Sequence, residues 1–336
     1  MPTRVDLSRP LEDHQHRARP ARIGLVGFGP HVRESILPAI AGTDLGTVVA
    51  AYAPLERDLA QSYPAIEFVG SLNRLVLYPG LDGVVVAATP QVNSEVLAEC
   101  ARHGMPMFFE KPLAVSSAVA KSFHELATRG SVIGVGHNFS FSPALRRAKQ
   151  WIQSPDFGEP VALSINFLAS KPRGDRWSLG DPRRSFLLSH LTHALDIVLF
   201  LLGLDIELVA GTVSEVEGIA TAALLLSSGN CQVTLLAGNG APRFALQGST
   251  LGSSGARIGI DGLASVEFES STATGRELRV WRPSTIHSPE WIAGYRDELS
   301  EFARVIRTPS ESGILQDSLE RAIRGLQLID DVLGGT

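Results

Sequence analysis

The first 140 residues alternate short, wholly apolar runs with segments of helical spacing, and that alternation limits the fold more than any other feature of the chain. The run 82-DGVVVAAT-89 carries no polar residue between Gly83 and Ala88, so both faces of a strand there would be buried. That is the pattern of a parallel sheet covered by helices on both sides. Similar runs stand at 22-RIGLVGFG-29, 46-GTVVAAYA-53, 66-IEFVG-70, 105-MPMFFE-110 and 132-VIGVGHN-138. Helical stretches lie between them, such as Val32, Ile36 and Ile40 on one face, then 56–63, 72–78, 92–103 and 116–129. A βαβ series of this kind predicts a doubly wound parallel sheet.

The pattern changes after Pro160. VALSINFLA, IELVAGTVSEV, IATAALLLSS, CQVTLLAG, RFALQGST, ARIGIDG and ASVEFES read as strands parted by glycine and serine turns, with one helix over 185–202. This predicts an α+β domain with a large, mostly antiparallel open sheet. The expected organisation is a polar tail over 1–20, a dinucleotide-binding domain over 21–140, an α+β substrate and oligomerisation domain over 141–310, and a helix over 311–336 that packs back on the fold. The tail lacks the apolar core of a signal peptide. No run is expected to approach the roughly 20 apolar residues of a membrane span. The net charge of −5 argues against nucleic acid and anionic membranes as partners. Cys100 and Cys231 stand far apart, as reduced thiols of a cytoplasmic protein would.

The first strand–turn–helix contains Gly27-Phe28-Gly29-Pro30-His31-Val32. Gly27 would allow the tight turn and Gly29 would let backbone approach a pyrophosphate at the helix start. Val32 replaces the third glycine of the fingerprint. An acid that binds ribose hydroxyls is expected about 20 residues on. Ala53 occupies that place, and Arg57 close behind suits a 2′-phosphate, so NADP(H) is favoured over NAD(H). Further along, Glu110-Lys111-Pro112 follows an apolar strand, which puts a lysine at the end of a parallel sheet where ligands bind.

A second cluster sits in 187-LLSHLTHALDIVLFLLG-203, where His190, His193 and Asp196 fall three apart in an apolar helix. Three uses compete: a self-satisfied polar face, a metal site, and an acid/base site beside a pocket. The i, i+4 histidine pair of a zinc-protease helix is lacking, so no metal is expected. Helical spacing lets Asp196 accept from one nitrogen of His193 and fix its tautomer. His190 would then line the pocket mouth. The polar loop 171-KPRGDRWSLGDPRRS-185 is long enough to form a lid, with Arg176 and Trp177 placed to bind a carboxylate, a phosphate or a ring.

Taken in order, RIGLVGFG, DGVVVAATP, FFEKPLAVS, VGHNFSFSPALRRAKQWI, FGEPVALS, HALDIVLFLLG, ELSEFARVIR and DSLERAIRGLQLID resemble the glucose–fructose oxidoreductase / inositol dehydrogenase / MocA family of NAD(P)-dependent oxidoreductases over nearly the whole chain. The resemblance implies that Gly27, Phe28, Gly29, Pro30 and His31 cradle the pyrophosphate. It implies that Thr89 and Pro90 run beside the ribose and that Glu110 and Lys111 sit at the nicotinamide. It places His137 and Asn138 at the substrate and gives catalytic roles to Lys111, His193 and Asp196. The implied reaction is hydride transfer to or from a small sugar, cyclitol or antibiotic-pathway keto-sugar, in a homodimer or homotetramer paired through the second sheet. Ser189 stands where many such dehydrogenases have Asp, Leu191 where Gly is frequent, and Ser140 where Arg is frequent. Those departures keep an imine reductase as an alternative substrate chemistry. A non-catalytic NAD(P)-binding sensor is the alternative from another class.

Overall fold

The computed structural model describes residues 19–43, 46–55, 59–170, 174–284, 286–308 and 313–334. Strands β1 (Ala21–Val26), β2 (Gly46–Tyr52), β3 (Glu67–Phe68), β4 (Gly83–Val86), β5 (Met107–Glu110) and β6 (Ile133–Gly136) form a parallel sheet in the order β3-β2-β1-β4-β5-β6. The order reverses between β1 and β4, which opens a crevice at their carboxyl ends. Every residue of β4, β5 and β6 is buried, as the continuous apolar runs require. Alternate residues feed two cores. Ile23, Leu25, Val85 and Phe108 point to one, and Val26, Val84, Val86 and Phe109 to the other.

The helix Tyr295–Arg307 was expected in the second domain but completes the first: Leu299, Phe302 and Val305 are buried in the same core as Ile23 and Phe108. Gly83 makes that approach possible, since a Cβ there would lie 2.6 Å from Ile306 Cδ1. The final helix, Gly313–Gly334, packs on β6, on the helix Ser117–Thr128 and on the helix Thr192–Leu202, so it binds both halves of the chain together. Asp330 clamps the same junction. It accepts from the Ser117 amide at 2.8 Å and from Arg184 Nη2 at 2.6 Å.

The second sheet has eight strands: β7 (Pro160–Ser170), β8 (Glu207–Val216), β9 (Ile219–Ser228), β10 (Cys231–Gly238), β11 (Gly240–Gly252), β12 (Arg257–Asp261), β13 (Ser265–Thr272) and β14 (Gly275–Trp281). Their order is β14-β13-β12-β11-β7-β10-β9-β8, antiparallel throughout except for the β7–β10 pair. The sequence pattern did not reveal β14. Its residues, GRELRVW, carry charges at Arg276, Glu277 and Arg279 and lie at the sheet edge, where only one neighbour and little core support them.

The helix Pro182–Leu202 crosses one face of this sheet. Asp181 caps it by accepting from the Arg183 amide at 2.9 Å, and Pro182 fills its first position. At 21 residues it is long and apolar enough to span a bilayer, contrary to the expectation from the sequence, yet 89% of its apolar window is buried inside the protein. A π turn at Leu187–Leu191 interrupts it. Single π turns of this kind recur at functional sites.

Candidate functional site

At the end of β1 the chain turns at Gly27, whose φ is +86° and whose amide donates to Tyr52 O at 2.9 Å. A Cβ there would lie 2.5 Å from Ala87 O, so only glycine fits. A Cβ at Gly29 would meet nothing within 4 Å. That peptide therefore faces open space, while its carbonyl accepts from the Val32 and Arg33 amides as the helix begins. A bare backbone turn opening onto a helix start fits a dinucleotide pyrophosphate. Phe28 contributes backbone only, because its ring is buried edge-on against Tyr63 and Phe68. Pro30 is exposed beside the turn. The His31 ring reaches across to β5, with Nε2 3.5 Å from Glu110 Oε2 and the ring edge on Tyr295. Arg57 lies outside the described residues.

The loops after β4 and β5 are tied to each other. Thr89 is exposed and Pro90 buried. The buried Asn93 amide donates to Leu113 O at 2.9 Å and to Pro112 O at 3.4 Å. Glu110 is buried against Gly136, where a Cβ would lie 3.0 Å from Glu110 Oε1. Lys111 Nζ donates to Ser189 O at 3.3 Å, within the π turn. The lysine thus joins the carboxyl end of the parallel sheet to the helix of the second domain.

Beneath Lys111 lies a buried polar network. Asp196 accepts from Arg321 Nε at 2.7 Å on Oδ1 and from Ser140 Oγ on Oδ2, and His137 Nδ1 stands 3.9 Å from Oδ1. Burial by itself would raise the Asp196 carboxyl, but the Arg321 guanidinium, then His137 and Ser140, hold it below the usual carboxylate range. Burial pushes the His137 imidazole down, against the pull of Asp196. Asp196 is thus held by Arg321 and Ser140, with His137 beside it. Arg321 comes from the last helix, 125 residues away, so helical spacing around Asp196 could not reveal it. Its one signal was a guanidinium inside the apolar face of RAIRGLQLID. A void of about 10 Å³, bordered by Lys111, His137, Thr192 and Arg321, is close to the size of one water molecule. The buried Asn138 side chain has a structural partner, since its amide donates to Ala293 O at 2.8 Å.

His193 lies in an aromatic wall, 5.0 Å from the Phe139 ring and 5.9 Å from Phe167. Phe244, 42% exposed, stacks on Phe139 and forms the outer rim. His190 was expected at the mouth but is fully buried between Phe167 and Phe186. Every residue from Ser185 to Leu199 is buried, so the helix has no solvent face to mark a pocket. A second buried acid, Glu298, escaped the sequence reading. Burial, then Glu110 and Asp196, pushes its carboxyl well above the usual range.

The loop before this helix is built, within the described residues, as a strap. Asp175 accepts from the Leu179 and Gly180 amides at 3.1 and 2.8 Å and from Ser185 Oγ at 2.7 Å. Trp177 and Ser178 take left-handed backbone conformations, and Gln91 Nε2 donates to Trp177 O at 2.5 Å. Arg176 stacks over the Trp177 ring at 4.8 Å. Among the described residues no group of three or more His, Cys, Asp or Glu side chains is arranged to hold a metal.

Residues 21–139 match the model of an oxidoreductase family with an NAD-binding Rossmann fold, and residues 145–252 match the GFO/IDH/MocA C-terminal domain. Among curated proteins, the scyllo-inositol 2-dehydrogenase (NAD(+)) of Bacillus subtilis is 23% identical over 59% of this chain and 57% of its own length. The 1,5-anhydro-D-fructose reductase of Ensifer adhaerens is 27% identical over 55% of this chain and 57% of its own. The chain thus matches little more than half the length of either. A dehydrogenase from Chromobacterium violaceum superposes with a TM-score of 0.84 at 25% identity, covering 95% of both chains. A 3-ketoreductase from Actinomadura kijaniata, solved with TDP-benzene and NADP, shares the fold at a TM-score of 0.75 and 19% identity over 94% of this chain and 98% of its own. The two matched models, the glycine turn and the paired sheets agree: the chain belongs to the Gfo/Idh/MocA family of oxidoreductases and carries an NAD(P)-binding Rossmann domain.

Proposed function

We propose that this protein catalyses NAD(P)-dependent hydride transfer at a carbonyl or alcohol carbon of a small polar substrate, a sugar, cyclitol or keto-sugar. The observation that carries the reading is the position of Lys111, at the carboxyl end of β5, hydrogen-bonded across the crevice to the helix of the second domain. The nicotinamide, when bound, supplies or accepts the hydride. The backbone from Gly27 to His31 would hold the pyrophosphate, with Thr89, Pro90 and Glu110 along the ribose and ring. Lys111 would donate a hydrogen bond to the substrate oxygen and favour the negative charge that develops there. His193 would deliver the proton, and the aromatic wall around it would exclude water. Asp196 would act one layer below, its charge fixed by Arg321 and set beside His137.

NADP(H) is the favoured cofactor, because Ala53 leaves no acid for the ribose hydroxyls and Arg57 follows it. Substrate reduction at a C=N bond is the second reading. It is supported by Ser189, which presents its carbonyl to Lys111 where an aspartate side chain is frequent. We assign the protein to the cytoplasm on its two buried, unpaired cysteines, and expect a homodimer or homotetramer with no membrane or nucleic-acid partner. Titration with NADPH and NADH, followed by nucleotide fluorescence, tests the reading. NADPH is expected to bind at least tenfold more tightly. Binding of neither nucleotide would remove the oxidoreductase assignment.

A further inference from the structure

We propose that Arg176 is an anion-recognising residue of the substrate site, and that the substrate carries a carboxylate or phosphate group. The proposal rests on the oxidoreductase reading for where the substrate lies.

The strap fixes Arg176 at the seam between the two domains. Its amide donates to Ser185 Oγ at 3.0 Å, on the helix that carries His193. The carbonyl of the next residue, Trp177, is held by Gln91, just beyond Thr89 and Pro90 at the end of β4. The guanidinium is half-buried, and burial lowers its pKa. Such a group gains where it has an anion such as a carboxylate beside it. The neighbouring strap arginines have one: Arg184 meets Asp330 at 2.6 Å and Arg183 lies 3.8 Å from Asp181. Arg176 meets no carboxylate among the described residues and has the Trp177 ring at 4.8 Å instead. Asp175, the adjacent acid, is already committed to two amides and the Ser185 hydroxyl.

Stacking uses the face of a guanidinium and leaves its in-plane N–H donors free to point outward. A planar fork held in that way suits two-point recognition of a carboxylate or phosphate. Trp177 and Ser178 take left-handed backbone conformations at this stacked pair, and Gln91 and Asp175 hold the loop in place. Neutral polyols need no such group. The unmatched charge therefore points to an anionic substituent that the ligand brings.

Two sources share that chemistry, the substrate and a phosphate of the cofactor, and one experiment separates them. The full-length protein saturated with NADPH is melted with and without inorganic phosphate, and with glucose 6-phosphate or glucose, at constant ionic strength. Expected is a Tm rise of roughly 2 °C at a tenfold excess of phosphate over its Kd, with glucose 6-phosphate acting like phosphate and glucose having no effect. Arg176→Gln should abolish the rise and leave NADPH affinity within about twofold; Arg176→Lys, which keeps the charge but loses the fork, should retain part of it. Equal rises in wild type and Arg176→Gln, or no rise in either, would overturn the proposal. So would an Arg176→Gln variant whose main defect is weaker NADPH binding, which would assign the anion to the cofactor. If wild type binds neither NADPH nor NADH, the oxidoreductase reading is what has failed, and that is seen before any phosphate is added; if it binds NADH alone, the same melts are run with NADH.

Discussion

At the scale of single residues, the buried charges divide by whether they have a partner. Asp196 has one in Arg321, and its removal should strand a guanidinium in the core. Asp196→Asn is expected to cost about 3–5 kcal/mol in urea unfolding. Because the folded carboxyl sits below its ordinary 3.8, this stabilisation is complete above that pH and fades as pH falls through the lower folded value. The gap between variant and wild type should therefore narrow only in acid. Glu298 has the opposite sign. Among the described residues neither of its oxygens has a hydrogen-bond partner, and its carboxyl is raised well above 4.5. Relative to the unfolded chain its contribution is complete below that pH and is lost as pH rises through the folded value. Glu298→Gln should thus stabilise increasingly with pH, by up to roughly 1.4 kcal/mol per pH unit in that window. A pH-independent effect in the same denaturation series would contradict the buried neutral acid. For Lys111→Ala, steady-state kinetics should show kcat lower by about 10²–10⁴-fold and a cofactor Kd changed only a few-fold.

At the scale of elements, the glycine turn separates folding from binding. Gly27→Ala forces a Cβ toward Ala87 O at a φ of +86°, so the turn itself must open, and both Tm and cofactor affinity should fall. Gly29→Ala adds its methyl to open space. It should leave Tm within about 1 °C while weakening NADPH binding at least tenfold, because the methyl occupies the path of the incoming phosphate. Calorimetry and titration of the two variants side by side check this; undiminished binding by Gly29→Ala would mean that no ligand approaches that peptide. The strands of both sheets were legible where burial imposes a pattern, continuous in β4 and alternating in β9. The edge strand β14 and the π turn were not. An exposed edge has no burial period to read, and a π turn arises from packing around an apolar segment.

At the scale of the whole molecule, the second sheet keeps one face away from the helix. Leu225, Leu236, Leu251 and Leu278 lie on that face, each at least 39% exposed. A cleft of about 400 Å³ runs over it between Asn166, Thr212, Leu225 and Leu236. An apolar face of this extent is the kind that subunits cover. Sedimentation of the wild type should give a multiple of 36.0 kDa, and Leu225→Glu with Leu236→Glu should shift it to the monomer. A wild-type monomer would remove the oligomer from the proposal.

The amino-acid sequence by itself determined the two sheets, the glycine turn and the lysine at the end of β5. Each rests on a local rule: burial period, backbone freedom at glycine, or placement at a strand end. Only the tertiary structure decided what the polar residues do. Asp196 gained Arg321 as a partner because the last helix returns 125 residues later to the same core. His190 went into that core because its helix is covered on every side. Arg176 came to the seam because Gln91 and Ser185, from opposite domains, hold its loop. Local spacing carries no information about such encounters, since the energy of a buried charge depends on whichever partner the whole fold brings to it.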